Sequence, residues 1–258
     1  MPAAAGEPVV NPSLTKTWVF NVGAVFQNLD GGATADINGG GGGSVGFSQI
    51  GLDEHSTSVF AAARWRFSDR WRLDFTFDTV DTDGSRTVSH DIEFGFITIP
   101  TSATADSSLR IRNYSAFVGY SFVKDEQSEF GARLGLTILD AGFSLQGTAT
   151  VLGASGSTEE QRADVIGPVP TIGLYGTYAL SNRVSLEGSV DGLVGSLGSY
   201  SGHYVAAMAS LNYWIDDTFA VGLGYRYVNG KLEHEGNVLT KGVDIEYSGP
   251  VVQGSVGF

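Results

Sequence analysis

Apolar and polar residues alternate with a period of two along most of this chain. Trp18, Phe20, Val22, Ala24 and Phe26 run out of phase with Val19, Asn21, Gly23, Val25 and Gln27. The pattern returns at 59–67, 71–78, 114–122, 130–138, 172–180, 184–192, 205–213, 219–227 and 251–258. Successive side chains of a strand point to opposite faces, so this period predicts β-strands, and a helical period is almost absent. The pattern yields about ten strands, each near the ~9–11 residues that cross a bilayer when tilted.

The connections fall into two kinds. Tight polar turns are expected at Ser68-Asp69-Arg70, Lys124-Asp125-Glu126-Gln127, Ser181-Asn182-Arg183 and Asp216-Asp217-Thr218. Between them lie longer connections, roughly 30–57, 83–109, 146–167, 196–203 and 229–243. The two kinds alternate strictly, which places all short turns at one end and all long loops at the other. Transmembrane β-barrels of the outer-membrane type carry this asymmetry, with short periplasmic turns and long outer loops. The expected fold is all-β: a ten-stranded antiparallel transmembrane barrel over residues 16–258, preceded by an N-terminal periplasmic segment at 1–15.

The apolar faces carry rings at their ends, as in Trp18 and Phe26, Trp65 and Phe67, Trp71 and Phe77, Tyr114 and Phe122. Their centres are small or aliphatic, such as Ala61, Ala116, Leu134, Val190 and Ala207. Trp and Tyr favour the membrane interface, which directs these faces to lipid. The opposite faces, rich in Gly, Ser and Thr, then line a lumen. They hold Arg64, Arg66, Arg72, Asp74, Asp78, Arg133, Glu187, Asp191 and Arg226. Near-balanced charge suits either a neutralising network that fills the lumen or the constriction of a narrow polar pore, and pairing is expected because a buried lone charge is costly. Arg64, Arg66, Arg72 and Arg133 lie near short turns, while Asp36, Asp53, Glu54, Asp81, Asp83, Glu159, Glu160, Glu233 and Glu235 lie in the long connections. That placement predicts an acidic mouth over a basic floor.

Composition narrows the reading. The 258 residues carry Lys+Arg 15 against Asp+Glu 28, a formal net charge of −13. Nucleic acid is therefore a poor partner, since phosphate contacts supply most non-specific affinity. The alternating RWRFSDRWRLDFTF at 64–77 reads as a hairpin tip, not a polyanion surface. No apolar run approaches a spanning helix. Cys 0 removes disulfides and thiolate metal sites. The N-terminal stretch MPAAAGEPVV shows neither a basic n-region nor a long apolar run, so no signal peptide is visible in it, which suits a mature N-terminus behind an added Met1.

The stretch GYRYVNGKLEHEG (224–236) followed by EYSGPVVQGSVGF (246–258) resembles the last hairpin of bacterial outer-membrane β-barrel proteins, which typically end in an amphipathic strand with a terminal Phe, here Phe258. The resemblance implies a bacterial outer-membrane location, contact with outer-membrane lipid and lipopolysaccharide, and recognition of the last strand by the barrel-assembly machinery. Porin-like, OmpW-like and enzymatic members are all compatible with it. Pro250 departs from a regular strand and predicts a bulge or a position above the lipid band.

Candidate chemistry is sparse. Arg110 and Arg112 share the phase of Tyr114 and lie just beyond the outer rings, which suits bidentate contact with lipopolysaccharide phosphates or two solvated loop arginines. Ten strands also resemble the omptin surface proteases, whose carboxylates and histidine sit at the outer rim. Asp81, Asp83, His203 and the His90-Asp91 pair fall near that rim, but the omptin context around them is absent. His55, His90, His203 and His234 all fall in or beside predicted loops without metal-site spacing, so no cofactor or metal is expected. NGGGGGSVGF (38–47) lacks the GK[ST] of a phosphate loop. HDIEFGFITI (90–99) alternates and either extends strands above the membrane or folds towards the lumen. The expected function is a narrow passive channel for small polar solutes or a structural membrane protein. The alternatives are an OmpW-like carrier of small hydrophobic molecules, marked by a lateral opening that Gly176, Gly188 and Gly192 would permit, and an omptin-like surface hydrolase.

Overall fold

A computed structural model describes residues 10–38, 40–52, 55–151, 154–157, 160–197 and 200–258. The alternating segments form β1 (Trp18–Ile37), β2 (Gly42–Gly46), β3 (His55–Arg66), β4 (Trp71–Thr87), β5 (Ile92–Phe94), β6 (Ile97–Ile99) and β7 (Thr104–Lys124) in the first half. They continue as β8 (Ser128–Val151), β9 (Ala154–Ser157), β10 (Gln161–Ala179), β11 (Val184–Leu197), β12 (Tyr200–Trp214), β13 (Phe219–Glu235) and β14 (Leu239–Gly257), and one helical turn, α1 (Pro12–Thr15), precedes them. Each long strand pairs antiparallel with the next, and β14 returns to β1, from Val19↔Gly257 to Ile37↔Leu239. The ring of β1, β3, β4, β7, β8, β10, β11, β12, β13 and β14 is a closed ten-stranded barrel, which leaves no end strand at the edge of the sheet.

The alternation sorts faces as expected. Val22, Phe26, Leu134, Leu174, Val190, Leu223 and Phe258 are exposed on the outer wall, while Arg72, Asp74, Asp78, Arg133 and Asp191 are buried inside. Stacked or tilted rings edge the apolar belt. Trp18 lies 5.2 Å from Trp65 and Trp71 5.0 Å from Tyr120 near the short turns. Phe77 meets Tyr114 at 5.0 Å at the other edge. Exposed apolar surface this extensive is unfavourable in water and is matched by lipid.

The predicted long loops are largely strand. β8 has 24 residues, and at ~3.3 Å per residue and ~40° of tilt it spans roughly 60 Å, well beyond a ~25 Å apolar band. Above the band the outward residues turn polar, as in Asp106, Ser108, Arg110 and Arg112 of β7. The connection at 196–203 is a hairpin, paired from Gly192↔Val205 to Leu197↔Tyr200. His203 and His234 accordingly lie within strands, not loops. Pro250 causes no bulge: it pairs with Tyr225, and the β1–β14 register is the same on either side of it, from Val25↔Val251 to Asn28↔Ser248. A register shift does occur between Ser121 and Val123, and it turns Lys124 inward from its expected place in the turn.

The outer half of the barrel encloses a hydrophobic core. Leu29, Val80, Ile111, Leu139, Val165, Val228 and Ile245 point in from seven strands. HDIEFGFITI folds inward as the β5–β6 hairpin, and Phe94 and Ile99 are fully buried in that core. Gly95 N donates to Ala35 O at 2.9 Å and ties the hairpin tip to β1. Phe47, in a 3-10 turn at Phe47–Gln49, meets Phe143 at 6.0 Å.

The opposite end is closed by residues 11–16. Asn11 caps α1 by accepting the Ser13 amide at 3.0 Å, and Pro12 at the first helical position needs no N–H acceptor. Trp214 Nε1 donates to Ser13 Oγ at 2.9 Å, and Asn11 Nδ2 donates to Ser181 O at 2.9 Å. The described part of the predicted N-terminal segment is thus folded into the short-turn end of the barrel.

Candidate functional site in the barrel lumen

All nine lumen residues expected from the alternation point inward, and the structure joins them. Arg64 Nη2 donates to Glu187 Oε2 at 2.8 Å across the lumen. Arg72 Nε donates to Asp74 Oδ2 at 2.9 Å, and Arg133 Nη1 reaches the same oxygen at 3.4 Å. Arg133 also grips Asp191 with two bonds, Nε to Oδ1 at 2.6 Å and Nη2 to Oδ2. One layer further out, Asp78 accepts from Arg226 Nη2 at 2.6 Å, Tyr247 OH at 2.8 Å and Asn113 Nδ2 at 3.0 Å. Such pairing is the condition for carrying charge in a low-dielectric interior.

Two charged members escaped the sequence reading. Glu129, 1 % exposed, accepts from Arg66 Nη2 at 2.7 Å, Lys124 Nζ at 3.2 Å and Ser121 Oγ at 2.7 Å. It shares the inward phase of Gly131 and Arg133, a signal that was available but lay beside the turn. Lys124 carried no such signal, because the shift at Ser121/Val123 inverts its face. The expected basic floor is largely offset: Glu129 faces Arg66, Arg72 and Lys124, with Arg72 Nη1 at 3.7 Å, and among the described residues the cations at this end outnumber the carboxylates by one. The described acids of the expected mouth lie on the outer surface and not in the lumen: the upper lumen is apolar, Asp36, Asp81, Asp83, Glu160 and Glu235 are exposed, and half-buried Glu233 pairs with Lys231 at 2.9 Å. Asp53, Glu54 and Glu159 lie outside the described residues.

Tyr175 packs the layer between. Its ring lies 3.2 Å from Arg72 Cζ, a cation–π contact, and its hydroxyl meets Ser121 Oγ at 2.9 Å. Glycines make this possible. A Cβ at Gly131 would lie 2.3 Å from the Tyr175 hydroxyl, and one at Gly173 would lie 2.0 Å from Asp191 Oδ1. A cavity of about 110 Å³ remains, lined by Arg64, Arg72, Asp74, Arg133 and Glu187.

Among the described residues the ladder stops part-way between β3 and β4, above Val59↔Thr79, and between β10 and β11. β10 pairs with β11 only from Ile172↔Gly192 to Ala179↔Ser185. Above that, β10 pairs with β8 alone and β11 with β12 alone. Pro168 and Pro170 lie on this stretch of β10, and proline suits a free edge because it has no N–H to donate. At Gly176↔Gly188 the ladder is intact. The groove over those glycines, walled by Phe130, Tyr178 and Tyr225, lies on the lipid side.

Asp81 and Asp83 point outward from β4, whose neighbours Val80 and Thr82 are buried. His203 lies on β12, across the ring, with Nε2 at 2.8 Å from Asn229 Oδ1. Asp91 Oδ1 accepts from Thr101 N and Oγ1 at 2.7 and 2.8 Å. Arg110 and Arg112 face outward above Tyr114, opposite Asp81 and Thr79 of β4.

No protein-family model matches the chain, and no curated protein sequence does. Among solved structures, the outer membrane protease OmpT from Escherichia coli is similar with a TM-score of 0.52 at 15% identity, covering 93% of this chain and 97% of that one. The fold is that of a bacterial outer-membrane β-barrel. Closure of the ring and the lipid-facing belt belong to that fold, in which the strands run on beyond the belt at the outer side; here they do so at the end opposite α1, so the α1 end of this outer-membrane barrel is periplasmic. The toluene transporter TodX of P. putida is also similar, at TM-score 0.37 and 10% identity over 98% of this chain and 93% of that one. So is Ail, the attachment invasion locus protein of Yersinia pestis, at TM-score 0.28 and 13% identity over 92% and 99%.

Proposed function

We propose that this barrel is a non-conducting structural protein of the outer membrane, which raises a rigid β-walled column above the lipid surface. The observation that carries this reading is the filled lumen: α1 at the periplasmic end, the ion-pair network in the middle, and the apolar core with the β5–β6 hairpin at the outer end. A continuous water path would need a polar, unobstructed bore, and the outer core supports neither. Of the two expected roles, packing favours the structural one over the passive channel. Planar-bilayer recording tests it: a flat trace is expected, and discrete conductance steps abolished by a lumen substitution would overturn it.

A second reading, a carrier of small hydrophobic molecules, is favoured by the seam between β10 and β11. There the wall lacks its ladder at the level of Pro168 and Pro170, beside the apolar half of the lumen. Locking the seam with a cysteine pair across β10 and β11 should abolish uptake of a hydrophobic probe if this reading holds. Uptake that persists in the locked barrel counts against it.

Two partners are part of the proposal. Arg110 and Arg112 sit where lipopolysaccharide phosphates would lie, just above the Phe77–Tyr114 ring pair. Replacing both with Ala should lower the lipopolysaccharide that copurifies, and unchanged retention would remove the proposal. Phe258, 64 % exposed at the end of β14, is offered to the barrel-assembly machinery.

A further inference from the structure

The periplasmic half of the network does not balance. Arg64, Arg66, Arg72, Lys124 and Arg133 face Asp74, Glu129, Glu187 and Asp191, while Arg226 and Asp78 form a separate pair. Five cations meet four carboxylates among the described residues, so one positive charge is left over. Arg66 and Arg72 are also directly opposite in the β3–β4 register, an arrangement that repels. Arg64 Nε and Nη1 and Arg72 Nη1 are buried and make no hydrogen bond; Arg64 Nε and Arg72 Nη1 face Asp74 and Glu129 only at 3.7 Å, and among the described residues nothing is paired with Arg64 Nη1. Both arginines line the 110 Å³ cavity. Each unsatisfied buried donor carries a desolvation cost that an anion would offset.

We propose that this cavity is a binding site for one small monovalent anion of chloride size. The anion accepts from the N–H groups of Arg64 and Arg72 that make no hydrogen bond and supplies the missing negative charge. The cavity volume is enough for a halide and a few waters, since roughly 10–15 Å³ of such space holds one water. The site lies below the outer core, and it is independent of whether the barrel conducts.

Thermal unfolding of the purified barrel in detergent tests this, with sodium chloride or bromide set against sodium gluconate at equal ionic strength. The melting temperature should rise by about 3–6 °C for each tenfold of halide above its Kd and not respond to gluconate. Crystals grown in bromide should show an anomalous peak between Arg64 and Arg72. Arg64→Gln should remove both signals. Ala62→Leu leaves every charge in place but fills the cavity, so it should also remove them, which keeps the test open if Arg64→Gln fails to fold. Equal melting in halide and gluconate, or bromide peaks confined to the surface, would overturn the site.

Discussion

Trp18 and Phe258 exchange both of their backbone hydrogen bonds, Trp18 N to Phe258 O at 3.0 Å and Phe258 N to Trp18 O at 2.8 Å. This pair completes the ring at its periplasmic rim, where β1 meets β14. The Phe258 ring also lies 6.5 Å from Phe20 on the lipid side, edge to face. Removing Phe258 should therefore slow closure of the ring. The heat-modifiable, folded fraction on a gel should fall several-fold, and Phe258→Tyr should restore most of it.

The two bonds between Arg133 and Asp191 join β8 to β11 across β10. Asp191→Ala leaves a buried guanidinium with only its longer contact to Asp74, and a cost of about 3–5 kcal/mol is expected by urea titration. Gly173→Ala should resemble it, because its Cβ would displace the Asp191 carboxylate. Replacing Arg133 and Asp191 together with Met and Leu should recover much of the loss.

The β5–β6 hairpin is a plug held by side chains. Phe94 is fully buried and lies 5.3 Å from Phe143 with rings nearly perpendicular. Phe94→Ala should cost about 3–5 kcal/mol. Limited proteolysis should then cut between residues 88 and 103 faster than in the parent barrel.

Truncation through Lys16 removes Ser13, Leu14 and Lys16, whose carbonyls accept from Arg66 and Lys124 at 2.7–3.3 Å. The shortened barrel should unfold at lower urea. If the outer core closes the bore as proposed, the shortened barrel should give no conductance steps either, because that core is untouched.

One acid effect is local to a turn. Amides of Phe219 and Thr218 both donate to Asp216 Oδ1 at 2.7 Å and hold its carboxyl below the usual carboxylate range. With the folded value depressed, the stabilisation is present at neutral pH and is lost as pH falls through that value. Asp216→Asn should therefore shrink the difference in stability between neutral and strongly acidic solution.

Ten strands, their lipid faces and the nine lumen residues were legible because a strand repeats every two residues, so one ring fixes the face of its neighbours. That logic needs no distant contact. It misled at Lys124, where one irregularity inverts the phase, and at the long connections, where polar strands rising above the lipid band resemble loops.

What the sequence by itself determined is thus the local rule: which residues are extended, which face meets lipid, and which charges point inward. Only the tertiary structure decided that the lumen is full. Arg64 and Glu187, or Asp78 and Arg226, are separated by more than a hundred residues and share no local pattern. The inward fold of the β5–β6 hairpin and the seating of α1 depend on the bore that ten paired strands create. Pairing charges across that bore is a property of the closed ring, since each partner gains its neighbour only when β14 reaches β1.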